Sequence, residues 1–155
     1  MRGIVNAKFD VINAEELEFE DAAFDVIFGS GIIHHLDVPR AYSELSRVLA
    51  PGGSAVFVEP LGHNPLIRVF RNRTPELRTP DEHPLVKSNY LLAREYFDRI
   101  DVTLYGLATL AAIPVLRTGI AGPVISAGKM IDRVLLRRPG IRWWAWYSLL
   151  IFGKA

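Results

Sequence analysis

The 155-residue chain contains no cysteine. That excludes disulfides, a thiolate nucleophile and thiolate zinc sites. It lacks charge of one sign: 18 Lys and Arg stand against 17 Asp and Glu, a formal charge of +1. No global field therefore points to nucleic acid as a partner. His34, His35, His63 and His83 show no metal-ligand spacing on one helix face, so no metal site is expected. Met1-Arg2-Gly3 leads into a polar stretch rather than an apolar leader, and cytoplasmic residence is the expectation. No internal repeat or low-complexity segment is present. Half of the residues are hydrophobic and 23% charged, a globular balance in a chain long enough for one core.

What is present reads as alternating strands and helices. Phe9-Asp10-Val11-Ile12 is short, apolar and β-branched, a strand by composition. Glu15 to Glu20 is an acidic turn with Leu17 and Phe19 directed inward. Phe24 to Phe28 is an almost unbroken apolar run, as in a strand buried on both faces. Gly29-Ser30-Gly31 ends it. Asp37 is the N-cap of a helix that carries Pro39 in its first turn and Ala41, Leu45, Val48 and Leu49 at helical spacing. Pro51-Gly52-Gly53 stops that helix, and Ser54 to Val58 forms the next strand. Strand, helix and strand at this spacing make a βαβ unit, expected to be right-handed.

Beyond Glu59 the pattern loosens. Pro65, Pro75, Pro80 and Pro84 mark Gly62 to Pro84 as a long irregular segment. Asn89 to Phe97 reads as a helix, Ile100 to Tyr105 as a strand, Leu107 to Leu116 and Val124 to Leu136 as apolar helices, and Trp146 to Phe152 as a last strand. Gly119 and Gly122 break helices and form no phosphate loop, because no strand precedes them. Arg133, Arg137, Arg138 and Arg142 lie beside Trp143, Trp144, Trp146 and Tyr147. This pattern suits helices covering a sheet, an apolar substrate lid, or peripheral membrane contact. Pro114, Gly119, Gly122 and Pro123 argue against a spanning helix.

The stretch from Phe24-Asp25-Val26-Ile27-Phe28 through Gly29-Ser30-Gly31, Ile32-Ile33-His34-His35-Leu36 and Pro51-Gly52-Gly53 to Glu59-Pro60 resembles the second half of a class I S-adenosylmethionine-dependent methyltransferase of the "methyltransferase type 11" kind. The resemblance covers roughly the first sixty residues well and the rest loosely. It implies an α/β, Rossmann-like fold with a mostly parallel sheet, an antiparallel C-terminal strand and extra C-terminal helices. It also implies one domain over 1–155, with 60–88 as a substrate-side loop region and 103–142 as a helical insertion. The implied cofactor is S-adenosyl-L-methionine and the implied partner a small, apolar acceptor.

By resemblance, Asn13 and Ala14 stand where an acidic and a small residue contact adenine, although Asn13-Ala14 also reads as a strand-ending turn. Gly29, Ser30 and Gly31 would lie along the methionine part of the cofactor, or form a plain tight turn. The Phe24-Asp25 pair would support the sheet. His34 or His35 would sit at the mouth of the transfer site as a base, or serve only in packing and capping. Glu59, His63, Asp81 and His83 are substrate-side candidates, or charges on a solvated loop. The family's glycine-rich cofactor loop has no counterpart before Phe24. The expectations that follow are an N-terminally truncated domain with weak or no cofactor binding and a sheet edge lacking its usual neighbour. Phe9–Ile12 would then pair with Phe24–Phe28, or a second copy would, making a homodimer and leaving a non-catalytic partner module as the alternative.

Overall fold

A computed structural model describes residues 6–77 and 79–155. Its frame is a four-stranded sheet in the order β1-β2-β4-β3. β1 is Phe24–Ser30, β2 Leu49–Pro60, β3 Arg99–Tyr105 and β4 Tyr147–Gly153. β1 and β2 are parallel and joined by helix α1, Val38–Val48. β4 is antiparallel to both β2 and β3. The Rossmann-like α/β architecture is present, but among the described residues β1 and β2 are the one parallel pair of strands in the sheet. The cause is connectivity: β3 ends at Tyr105 opposite Tyr147, where β4 begins, so the chain returns down the sheet.

α1 forms where its signals stand. The Asp37 carboxylate accepts from the Arg40 N–H at 3.0 Å, and Pro39 fits the first turn, where no amide partner is needed. Val38, Ala41, Tyr42, Leu45 and Val48 are buried against the sheet. The core continues through Phe57, Phe97 and Phe152, with Phe97 and Phe152 stacked at 4.5 Å between ring centroids. Gly52 turns the chain with φ of +77°, and its N–H reaches the Lys154 carbonyl at 2.9 Å.

Three expectations fail here. Phe9–Ile12 is not a strand and does not pair with β1: Phe9 is 91% exposed and the segment lies outside the sheet. Strand composition forms a strand only where a neighbour and a packing face exist. β1 is not buried on both faces either; Val26 and Phe28 are exposed, and among the described residues its outer edge is unpaired. Finally, the Gly62–Pro84 stretch is not irregular throughout. It contains helix α2, Pro65–Arg73, whose N-cap Asn64 accepts from the Leu66 and Ile67 amides at 2.9 and 3.2 Å.

The remaining helices are α3, Lys87–Leu92, and α4, Ala121–Leu135, preceded by a 3-10 stretch at Ala108–Val115. The segment before β1 is clamped to α1 by Arg47. Its guanidinium donates to the Phe19 and Leu17 carbonyls at 2.7 and 2.8 Å and grips the Glu44 carboxylate with two nitrogens. Those hydrogen bonds hold the Glu44 carboxyl below its ordinary range.

Candidate active site

The carboxyl ends of β1 and β2 meet at one end of the sheet, the usual ligand end of an open α/β fold. Between them the chain turns through Gly31, which has φ of +63°, and its N–H donates to the Val58 carbonyl at 2.8 Å. The next turn, Ile33–His35, is held from below by Glu59. Along β2, Ala55, Phe57 and Glu59 share the buried face, so the carboxylate points into the protein and is fully buried. One oxygen accepts from the Ile32 and Ile33 amides, each at 3.0 Å. The other accepts from the His34 ring at Nδ1, 2.7 Å away. Glu59 is therefore not on the substrate-side surface; it underlies the turn that carries His34.

A carboxylate only accepts hydrogen bonds, so the neutral His34 ring carries its proton on Nδ1. Nε2 is left as the free acceptor, with no protein partner among the described residues. His34 lines a cavity of about 300 Å³ with Ser30, Gly31, Ile67, Phe70, Trp146 and Tyr147. Arg71 and Glu82 join that wall as an ion pair at 2.6 Å. This cavity has aromatic and aliphatic walls, one oriented imidazole and one internally neutralised ion pair.

His35 is placed differently. Its Nδ1 meets the Asp81 carboxylate at 2.9 Å, on a partly exposed flank. The Asp81 carboxyl is held below its ordinary range, first by the Thr79 hydroxyl, then by its own backbone amide and by His35. The His83 amide donates to the His34 carbonyl at 2.8 Å, and its ring donates to the Asp81 carbonyl. His63 is exposed and accepts from the Lys87 amide at 2.9 Å. Asp81 and His83 thus support the histidine turn from outside, while His63 fastens the start of α3.

A second cleft, of about 420 Å³, lies between β1 and α1. It brings together Ala14, Gly29 and Ser30 with apolar walls that include Leu17, Phe19 and Ile32. Asn13 builds the turn beside it, its side-chain oxygen accepting from the Glu15 amide at 3.0 Å. Gly29 is required by packing, since a Cβ there would stand 2.4 Å from the Phe57 ring. Ser30 lines both this cleft and the His34 cavity, so the two spaces adjoin at one residue.

The cleft walls are mainly apolar, with Ser30 the residue shared with the His34 cavity, and among the described residues no carboxylate or cation lines it. Sequence reasoning missed Ile67, Phe70, Arg71 and Tyr147 as cavity residues. Asn64-Pro65 was the available signal for the helix that brings three of them in.

A parallel β1-α1-β2 unit, a small-residue turn at its carboxyl end and an oriented imidazole beside it make up the ligand end of a Rossmann-like α/β fold. Residues 2–57 match the family model described as "Methyltransferase domain". Among curated relatives it is 35% identical over 81 residues to the uncharacterized methyltransferase YcgJ of Bacillus subtilis, covering 51% of this chain and 32% of that protein. It is 44% identical over 62 residues to the ubiquinone/menaquinone biosynthesis C-methyltransferase UbiE of Brucella canis, covering 37% of this chain and 22% of the relative. The chain thus spans a third or less of the length of these relatives. The crystal structure of YcgJ superimposes with a TM-score of 0.58 at 19% identity, over 99% of this chain and 74% of that one. Geranyl diphosphate C-methyltransferase from Streptomyces coelicolor, solved with Mg²⁺, geranyl diphosphate and S-adenosylhomocysteine, gives 0.58 at 16% identity, over 94% and 53%. These likenesses establish the fold.

Proposed function

We propose that this chain carries the acceptor side of an S-adenosylmethionine-dependent methyltransferase, with His34 as the base and Glu59 as its positioning residue. The acceptor is a small molecule with an apolar or aromatic body and one ionisable nucleophile. The observation that carries this reading is the buried His34 Nδ1 to Glu59 contact of 2.7 Å beside an aromatic-walled cavity. UbiE acts in quinone biosynthesis and the Streptomyces enzyme binds geranyl diphosphate, by their names, and apolar acceptors of that kind suit these walls.

When bound, S-adenosylmethionine supplies a methyl group already activated on sulfur. Ala14, Gly29 and Ser30 would hold its flat and methylthio parts in the cleft. Ile67, Phe70, Trp146 and Tyr147 exclude water and align the acceptor, which is most of what an in-line transfer needs. The acceptor atom takes the methyl from the Ser30 side as His34 Nε2 takes its proton. Glu59 keeps the imidazole in the tautomer that can accept that proton.

The cleft offers apolar walls and one hydroxyl, so cofactor binding by this chain is weak, in the millimolar range. The test is methyl transfer to a quinol or phenol panel at millimolar cofactor. His34→Gln is expected to lower turnover by about 10²–10⁴-fold without changing S-adenosylhomocysteine binding. Unchanged turnover in that variant refutes the assignment. A second reading rests on the outer edge of β1, unpaired among the described residues, where Val26 and Phe28 are 68% and 71% exposed: a second copy pairs there. Sedimentation as a monomer across a wide concentration range removes it.

A further inference from the structure

The segment between β3 and β4 leaves and returns at one end of the sheet, since Tyr105 pairs with Tyr147. Pro60 pairs with Tyr147 as well, so this is the end that carries the His34 cavity. The charge of the segment is unlike that of the whole chain. From 107 to 145 it holds six cations (Arg117, Lys129, Arg133, Arg137, Arg138 and Arg142) and one carboxylate, Asp132.

That carboxylate is spent inward. Asp132 is buried and accepts from the Leu107 amide and the Ala108 amide at 3.2 and 2.6 Å, and from the Thr109 hydroxyl at 2.9 Å. On the same side of α4, Gly128 lies against Thr109 so closely that a Cβ would stand 2.8 Å from its Cα. This face of α4 is therefore fixed to the Ala108–Val115 stretch. Among the described residues nothing covers the opposite face. Ile120, Met130, Ile131 and Val134 fall on it at helical spacing and are 50–68% exposed. Arg117, Lys129, Arg133, Arg137 and Arg138 are exposed around it, and none forms an ion pair among the described residues.

A second element repeats the pattern. In α2, Leu66, Val69 and Phe70 are exposed beside Arg68 and Arg73. Asn64, which caps α2, also donates to the Trp144 carbonyl at 2.6 Å. That contact joins α2 to the end of the β3–β4 segment, where Trp144 is itself half-exposed. Ile67, Phe70 and Arg71 of α2 line the His34 cavity, so the apolar and basic face of α2 adjoins the cavity wall.

We propose that this surface docks the protein onto an anionic lipid bilayer. Exposed aliphatic and indole side chains ringed by unpaired Arg and Lys match the headgroup boundary, where apolar groups enter the acyl region and cations meet lipid phosphate. No helix among the described residues is long and apolar enough to cross a membrane, so attachment is to the surface. The docking places the cavity end of the sheet against the phase in which an apolar acceptor dissolves. This last point rests on the proposed acceptor class, whereas the docking itself does not.

The test is co-sedimentation of the full chain with phosphatidylcholine vesicles, with and without about one third phosphatidylglycerol. Binding is expected to the mixed vesicles only, and to fall steeply as salt rises. Arg133→Ala and Arg137→Ala are each expected to weaken binding about fivefold, and Ile131→Asp about tenfold. All three positions are exposed, and circular dichroism confirms that each variant is folded. Lys8→Ala, outside the segment, is expected to leave binding unchanged. Equal loss in Lys8→Ala, equal binding to uncharged vesicles, or no binding at low salt overturns the proposal. So does an Ile131→Asp variant that dissociates a dimer in lipid-free sedimentation while binding vesicles normally, which would make this face a contact between copies. None of these readouts depends on methyl transfer, so failure of the enzyme reading and failure of docking are separable.

Discussion

Glu59→Gln probes the part of the fold on which the chemistry depends. The wild-type carboxylate is fully buried and accepts from the Ile32 amide, the Ile33 amide and the His34 ring. An amide of the same shape has one oxygen and one NH₂ group. If the oxygen stays on the two backbone N–H groups, the NH₂ faces His34 Nδ1. The ring must then move its proton to Nε2, and its cavity edge becomes a donor. If the amide flips, NH₂ meets two amides and both lose their acceptor. The first arrangement costs less. It exchanges one charge-assisted hydrogen bond for a neutral one and weakens two others, a loss of about 2–3 kcal/mol. For a chain of this size that is a fall in melting temperature of about 5–10 °C. Urea titration gives the free energy, and nitrogen-15 shifts of the His34 ring give the tautomer. The reasoning is refuted if stability falls by less than about 0.5 kcal/mol or if the proton stays on Nδ1. Glu59→Ala separates charge from hydrogen bonding: it orphans the Ile32 and Ile33 amides and removes the longer, 3.4 Å contact from the His34 amide, and its loss must exceed that of Gln.

Further outcomes follow from other sites. The Tyr90 hydroxyl is buried against Ser148 at 2.9 Å, and burial, aided by the Glu59 charge, pushes its pKa up to about 12 from 10.0. The folded state holds this proton after the unfolded chain has released it, so stability is full below pH 10 and falls as pH rises toward 12, by about 2–3 kcal/mol. Tyr90→Phe removes that part of the alkaline slope in pH-dependent urea unfolding; an unchanged slope contradicts the placement. Gly29→Ala drives a Cβ into the Phe57 ring and destabilises by about 1–3 kcal/mol, read by thermal melting, with a neutral result showing that β1 can shift away.

The elements that could be read from the residues were those whose signals are local. The Asp37 cap, Pro39 and the buried stripe of α1 needed no partner to be recognised. α2 was hidden by the proline density around it, although Asn64-Pro65 is a helix start and Leu66, Ile67 and Phe70 recur at helical spacing. Phe9–Ile12 misled because β-branched composition reports packing that a sheet must provide. Glu59 was legible in part. Ala55 and Phe57 set an inward face with a period of two, and Glu59 continues it. That His34 and His35 would diverge, one to the buried Glu59 and one to the exposed Asp81, depends on a turn geometry that no spacing encodes.

The claim that the ends of β1 and β2 form a methyltransferase site is tested most directly by amide NMR of the chain titrated with S-adenosylhomocysteine, which detects millimolar binding. The account predicts saturable shifts confined to Ala14, Gly29, Ser30, Gly31 and their neighbours, with His34 responding at the shared wall. Titration to solubility without change at those amides, or with changes centred instead on a separate hollow between α3 and β3 lined by Tyr90, Arg94, Val102 and Trp143, would contradict it.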